Sequence, residues 1–520
     1  MCLPSPVSML AAAGCRAVQS WAWAWLPSIA SGQRRTAVAS VGQQHSRRYS
    51  VPTSHRPSET RWRYKADDLV KKKVALVQAG VANNTFGLTL NTARPLSPDL
   101  FKEVLMHLYK KVEVLRICFG EKEGSLWVVD MDTPKIDFQV LEGGLLEEIV
   151  KTVSQPAYNL FEGPLWRARL VVCPPDEPCM MPQVKYSFPH QYHLALDNHH
   201  AVTDGICTMK IIEIIITILD SVLDGAHVDS KQIGEFRDRS EVTSVEVRIR
   251  ESLEKDPHML STLLEERYKI KTSVPLITEI FGKPDEPSPE TYTVTPQVID
   301  DKLLQVFSAK CKTHKVTFNS AFVGVINVAL MELAHEAGVA RDSYIITHRH
   351  PVDTRRYMSD VTCMVWGYHV VPMTHTTTMP CNARSTFWEN VINFDTNFRD
   401  RINTMGPLQE RILDTILQER KPDFENTTIH NLNVTNMYSP RIKTSGDGKH
   451  VQLTNSCGYL PLPFTHHDYC ITGGLTRFRE QVQFQVGYYS GFITTENATR
   501  LSDKVISVFK DTAKEVDERQ

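Results

Sequence analysis

Helical and extended segments alternate through both halves of this chain, which predicts a two-lobed α/β protein of mixed β-sheet with helices packed on it. Three observations carry that expectation. Apolar residues recur at helical spacing in some segments and at alternate positions in others. A proline- and acid-rich stretch, 281–290 (FGKPDEPSPE), divides the chain. At 520 residues the chain also exceeds what a single core ordinarily organises. The division read from these is a leader over 1–60, a first lobe over 61–280, a linker over 281–290 and a second lobe over 291–520.

In the first lobe, Thr85 to Leu90 reads as a strand. Ser97, Pro98 and Asp99 then supply an N-cap, a preset dihedral and a first-turn acid, and Phe101, Val104, Leu105, Leu108 and Val112 fall on one helical face. Val114 to Phe119 and Leu126 to Val129 read as two strands about a charged turn, and a helix is expected over about Gly144 to Val153. Strands follow at Leu165 to Val172 and at Tyr192 to Asn198. Asp204 and Gly205 then open a strongly apolar helix running to about Val222. In the second lobe a long helix is expected over Ser320 to Ala337. Strands are expected at Ser343 to Ile346, Tyr368 to Val371, Thr428 to Thr435 and Gln481 to Tyr489, with a last helix over Thr495 to Val516.

Composition excludes several classes. With 42% hydrophobic and 23% charged residues and a formal net charge of −2, nothing marks a nucleic-acid surface. The 11 cysteines form no CxxC pair, so no zinc ribbon or thioredoxin-type site is suggested. No transmembrane segment is expected: Trp21 to Leu26 is too short, and the stretch Ile211 to Leu219 is interrupted by Glu213 and Thr217. Residues 1–58 hold no Asp or Glu but carry Arg16, Arg34, Arg35, Arg47, Arg48 and Arg56, the composition of a mitochondrial transit peptide. Mitochondrial localisation is the expectation, with a cytoplasmic protein as the alternative.

The residues that suggest chemistry are His199-His200-Ala201-Val202-Thr203-Asp204-Gly205, an HHxxxDG pattern between a strand and a helix. A base held at a strand terminus can be fixed in one tautomer and aimed into a cleft. The carboxylate four residues on lies at a helix start, where unpaired amides favour its charge and an arginine can brace it. The competing reading is a pair of ordinary buried or surface histidines. A metal site is a further alternative, since His193, Asp197 and His199 share a strand face, although no open-site ligand set is seen elsewhere and no bound metal is expected. His466, His467 and Asp468 receive no role, and Ser456 and Thr317 are noted as possible oxyanion donors.

The pattern resembles the signature of the chloramphenicol acetyltransferase-like superfamily, which includes condensation domains, wax ester synthases, alcohol acyltransferases and plant BAHD acyltransferases. Three other segments fall in the family's order. Val112 to Phe119 keeps Leu115 and Arg116 of an HPxLR segment, with Val112-Glu113 in place of His-Pro. Tyr158 to Leu170 keeps Leu160, Gly163, Pro164, Leu165 and Arg167, and Val352 to Arg356 matches a later VNLR-type segment. The plant DFGWG run is missing; Cys457-Gly458-Tyr459 is its nearest candidate and a poor match.

The resemblance covers about residues 80–515. It implies two acetyltransferase-like lobes meeting in a V about a central tunnel, in a stand-alone acyltransferase. His200 would be the general base, His199 a packing and positioning residue, and Gly205 a permissive turn. Asp204 would pair with Arg355 in a structural salt bridge. The implied partners are an acyl thioester donor, with acyl-CoA as co-substrate or an acyl carrier protein presenting it, and a small-molecule or lipid acceptor bearing a hydroxyl or amine. No bound cofactor and a monomeric state are expected. An acyl thioesterase using the same base, and a non-catalytic condensation-like binding protein, stand as alternatives.

Overall fold

A computed structural model of the protein describes residues 61–80, 83–284, 291–421, 430–437, 448–459, 471–478 and 481–515. The leader, most of the linker and His466 to Asp468 therefore lie outside the described residues.

The first half begins with β1 (Trp62–Lys65), helix α1 (Asp68–Gln78), β2 (Asn84–Thr92) and helix α2 (Pro98–Lys111). α1 starts where the Asp67 carboxylate accepts from the Val70 amide, and α2 where Ser97 does the same for Leu100 with Pro98 in the first turn. The segment expected as a strand from Val114 instead makes a 3-10 turn at Glu113–Arg116 before extending as β3 (Ile117–Lys122), which forms a hairpin with β4 (Ser125–Asp130). β5 (Asp137–Leu141), α3 (Leu146–Ser154), β6 (Trp166–Val172) and β7 (His190–Asn198) follow. Next is α4 (Gly205–Asp224), which Gly225 ends in the left-handed region at φ 73°.

Residues 224–281 contain β8 (Glu235–Phe236) and three helices, α5 (Ser240–Glu254), α6 (Pro257–Thr272) and α7 (Leu276–Phe281). The second half holds β9 (Thr291–Thr293), β10 (Gln297–Ile299), α8 (Asp301–Thr313), α9 (Phe318–Glu336), β11 (Ser343–Asp353), β12 (Val365–Trp366) and β13 (Val370–Pro380). It continues through α10 (Phe387–Asn403), α11 (Gly406–Arg420), β14 (Leu432–Met437), β15 (Val451–Tyr459), β16 (Ile471–Phe478), β17 (Gln481–Tyr489) and α12 (Thr495–Lys514).

Two mixed sheets organise the lobes. The first has the order β15-β2-β7-β6-β5, and the second β10-β17-β16-β14-β11-β13, with β9 also on β17. One buried cluster, including Leu88, Leu105, Leu194 and Ile215, packs the first lobe, and another, including Phe322, Ile346, Phe484 and Phe509, packs the second. α9 is apolar and long enough to cross a membrane by length and composition, but 78% of its most apolar window is buried. It is the central core helix of the second lobe.

The halves are not independent in connectivity. β15, from the second half, runs antiparallel along β2 from Val451 opposite Thr92 to Tyr459 opposite Thr85, so it closes the first lobe's sheet. Cys457-Gly458-Tyr459 end this inserted strand. β12 pairs with β8 across the same junction, Val365 against Glu235 and Trp366 against Phe236. These two exchanges bring the loop after β12 against the turn after β7.

Candidate active site

The site is built on that turn. β7 is covered on both edges, by β2 and β6, so its backbone is rigid up to Asn198. His199 and His200 follow, and α4 begins at Gly205. Asp204 is the N-cap of α4: its Oδ1 accepts from the Cys207 amide at 3.0 Å. Gly205 is the first helical residue and is not among the glycines at positive φ, so the turn itself makes no conformational demand for glycine there.

Asp204 is fully buried, and its other oxygen meets two donors from the second half. Arg355 Nη1 lies 2.8 Å from Oδ2, and the His369 amide lies 3.1 Å away. Arg355 is bonded throughout: Nε donates to Val365 O at 2.9 Å, Nη1 also reaches Asp353, and Nη2 donates to Gly367 O at 3.1 Å. Burial alone would raise the Asp204 carboxyl, but the Arg355 guanidinium outweighs it and holds the acid below its ordinary range. The pair is thus a charged clamp between the lobes. Gly367 enables it, sitting at φ 136° where an added Cβ would come 2.5 Å from His369 Nε2.

The two histidines are treated differently by their surroundings. His199 is fully buried between the rings of Phe119 and Tyr158, 5.7 and 5.2 Å away by centroid, and its Nδ1 accepts from the Ala201 amide at 3.2 Å. Its Nε2 is sealed with no partner. Burial first, and the neighbouring His200 second, push this imidazole down to about 3. Behind it, Asp197 accepts from Thr85 Oγ1 at 2.6 Å and Tyr158 Oη at 2.5 Å, with Arg167 Nε at 3.5 Å. Burial lifts that carboxyl to about 6 against the pull of these partners.

His200 is only partly buried. Its Nδ1 lies 2.7 Å from the Thr203 carbonyl oxygen, an acceptor only, so the neutral ring carries its proton on Nδ1 and presents the Nε2 lone pair. Nε2 is not among the sealed buried nitrogens. The ring stands edge-on to Tyr368 at 5.3 Å. Burial, and after it the charge of Lys73, lower the imidazole to about 3, against the opposing effects of the Thr203 bond and Asp204. A ring so placed is uncharged at neutral pH, has a fixed tautomer and can accept a proton.

Other candidates fall elsewhere. His193 is engaged by Thr89 at 3.0 Å and Asp197 by the network behind His199, and among the described residues no cluster of three or more His, Cys, Asp or Glu is arranged to hold a metal. Thr317 caps α9 through the Ser320 amide and hydrogen-bonds Asp395 at 2.9 Å, far in sequence and role from the turn. Ser456 lies on β15 opposite Leu88. Two surface clefts, of 330 and 650 Å³, include neither His200 nor Asp204. Sequence reasoning passed over Lys73, Tyr368 and His369. Lys73 is hidden in a run of three lysines on α1, where helical phase alone buries the third.

The condensation domain family model matches residues 85–358, more than half of the chain, and this protein belongs to that family. Members of the family transfer acyl groups from carrier-bound thioesters to amine or hydroxyl acceptors. Solved structures agree on the fold. The condensation domain of monacolin K polyketide synthase is 14% identical with a TM-score of 0.59, over 86% of this chain and 97% of its own. The first condensation domain of the calcium-dependent antibiotic synthetase is 14% identical at TM-score 0.60, over 88% and 97%. A starter condensation domain of rhizomide synthetase, solved with C8-CoA and Leu-SNAC, is 13% identical at TM-score 0.59, over 88% and 95%. No curated protein sequence matches this chain.

Proposed function

We propose that this protein is an acyltransferase that moves an acyl group from a CoA or carrier-protein thioester to a hydroxyl or amine, with His200 as general base. The observation that carries this is the His200 geometry: Nδ1–H donated to the Thr203 carbonyl at 2.7 Å, with Nε2 left open on a part-exposed ring. Nε2 takes the proton from the acceptor as its oxygen or nitrogen bonds to the thioester carbonyl carbon. Collapse of the tetrahedral intermediate breaks the C–S bond, and the imidazolium returns the proton to the departing thiolate. The balance is one ester or amide and one free thiol, with no covalent enzyme intermediate. The Asp204–Arg355 pair acts at a distance, by holding the turn. The rhizomide relative bound to C8-CoA supports a CoA thioester as one form of donor.

The test is mass-spectrometric product analysis with acyl-CoA and N-acetylcysteamine thioesters against a panel of amines and alcohols. Wild type is expected to form the acyl product, and His200→Ala to lose about 10²- to 10⁴-fold in rate while keeping its circular dichroism spectrum. Full activity in that variant overturns the assignment, and release of free acid alone makes the protein a thioesterase. We also propose that residues 1–58 direct the chain to mitochondria, on their arginine-rich, acid-free composition. Fractionation of cells expressing the tagged full chain should place it there, and an equal distribution of the chain lacking those residues rejects the idea.

A further inference from the structure

Lys73 is a buried cation without an anion. Of the three consecutive lysines on α1, Lys72 is exposed and Lys71 pairs with Asp68 at 3.0 Å, whereas Lys73 is 8% exposed. Its ammonium lies over the Tyr368 ring, 5.3 Å from the centroid, and makes no ion pair or hydrogen bond among the described residues. Asp67, which caps α1, and Asp204, which caps α4, are committed elsewhere, to Arg239 at 2.7 Å and to Arg355. The same Tyr368 ring meets the edge of His200. Lys73 Nζ, like His200 Nε2, is not among the sealed unpartnered nitrogens, so what surface each retains faces open space rather than packed protein.

Buried charges are ordinarily paired, because desolvating an ammonium costs more than one aromatic face returns. An uncompensated single positive charge beside the proposed base therefore implies that one negative charge arrives with the ligand. A transient oxyanion would leave Lys73 unbalanced in both the substrate and product complexes. A carboxylate on the bound substrate balances it throughout, and a compact ammonium with three donors suits that group. We propose that Lys73 is an anion-binding residue of this site and that the substrate held against His200 carries a free carboxylate. This rests on the acyltransferase reading and narrows it to a substrate class.

Two readouts test it separately from that reading. The first needs no turnover: the His200 Cε1–H NMR resonance, assigned by its loss in His200→Gln, is followed as succinate, octanoate or N-acetylglycine is added. A saturable shift is expected in wild type, at least about tenfold weaker in Lys73→Met and partly restored in Lys73→Arg, with no shift from the methyl esters. No response to any of the three acids, or equal affinity in Lys73→Met, overturns the proposal. The second compares kcat/KM for acceptors with a free carboxylate and for their methyl esters. Lys73→Met should abolish a preference that Lys73→Arg retains. An equal loss for both acceptor types assigns Lys73 to oxyanion stabilisation or structure instead. If wild type transfers no acyl group at all, the acyltransferase reading fails while the titration still decides the role of Lys73.

Discussion

Two groups of histidines, on the turn after β7 and on β11 and β13, are lowered by burial, and the contrast separates a ring with an accessible nitrogen from rings that are merely buried. On the turn after β7, His200 has a carbonyl fixing Nδ1, an open Nε2, and a charged clamp holding the backbone next to it. In the second lobe, His348, His350 and His375 gather on β11 and β13. His348 Nε2 lies 2.7 Å from Asn327 Oδ1, and His350 and His375 pack against the Phe394 and Phe398 rings. All three are pushed below the ordinary histidine range by burial first, just as His200 is. His350 Nε2 and both His375 nitrogens are sealed. A strongly depressed imidazole is therefore no mark of catalysis here. What distinguishes His200 is access together with a locked tautomer.

The largest effect expected from sharpening this comparison concerns what holds each region. The turn depends on an ion pair whose members are 8% and 0% exposed, so removing one partner strands the other in a dry site. Arg355→Ala should lower unfolding stability by about 3–5 kcal/mol in urea titrations, and transfer should fall with it because His200 loses its backbone support. The double variant Asp204→Asn with Arg355→Met should recover part of the stability, since no unpaired charge is left. If Arg355→Ala changes stability by less than about 1 kcal/mol, the clamp is dispensable and the turn is held by packing, as the second-lobe histidines are.

Local pattern made much of this legible. The Ser97 cap, the strand ending at Asn198 and the helix opening at Asp204 are written in side chains within one turn of where they act. Family motifs led to Arg355, 151 residues from the Asp204 it meets. Pairings between distant strands are not local, so nothing in Val451 to Tyr459 says that this strand crosses to lie on β2. α5 and α6 escaped because charge surrounds a thin apolar stripe. Leu253, Leu260 and Leu264 are buried only by packing with Ile412, Ile416 and Leu417. Lys73 escaped for a related reason: a lysine reads as solvated until the fold places a ring above it and no carboxylate beside it.

Acid should reveal which of the two histidine groups limits stability. An unfolded histidine titrates near about 6.5, whereas folded His199, His200 and His348 are held at about 3 and His369 and His375 at about 4. Between those limits the unfolded chain binds more protons than the folded one, so stability is full above about 6.5 and falls as pH drops toward 3. Asp197 opposes this weakly. Its folded carboxyl sits at about 6, so it contributes stability below the usual carboxylate range that is lost as pH rises through 6. His350 can be removed without touching the turn, and His350→Phe keeps an aromatic ring against Phe394 and Phe398 while deleting one titrating group. The drop in urea midpoint from pH 7.5 to pH 5 should shrink in that variant by an amount on the order of 1 kcal/mol in free energy, with transfer at pH 7.5 unchanged. An undiminished drop would shift the acid sensitivity onto the His199–His200 turn, and the second-lobe histidines would then be packing alone.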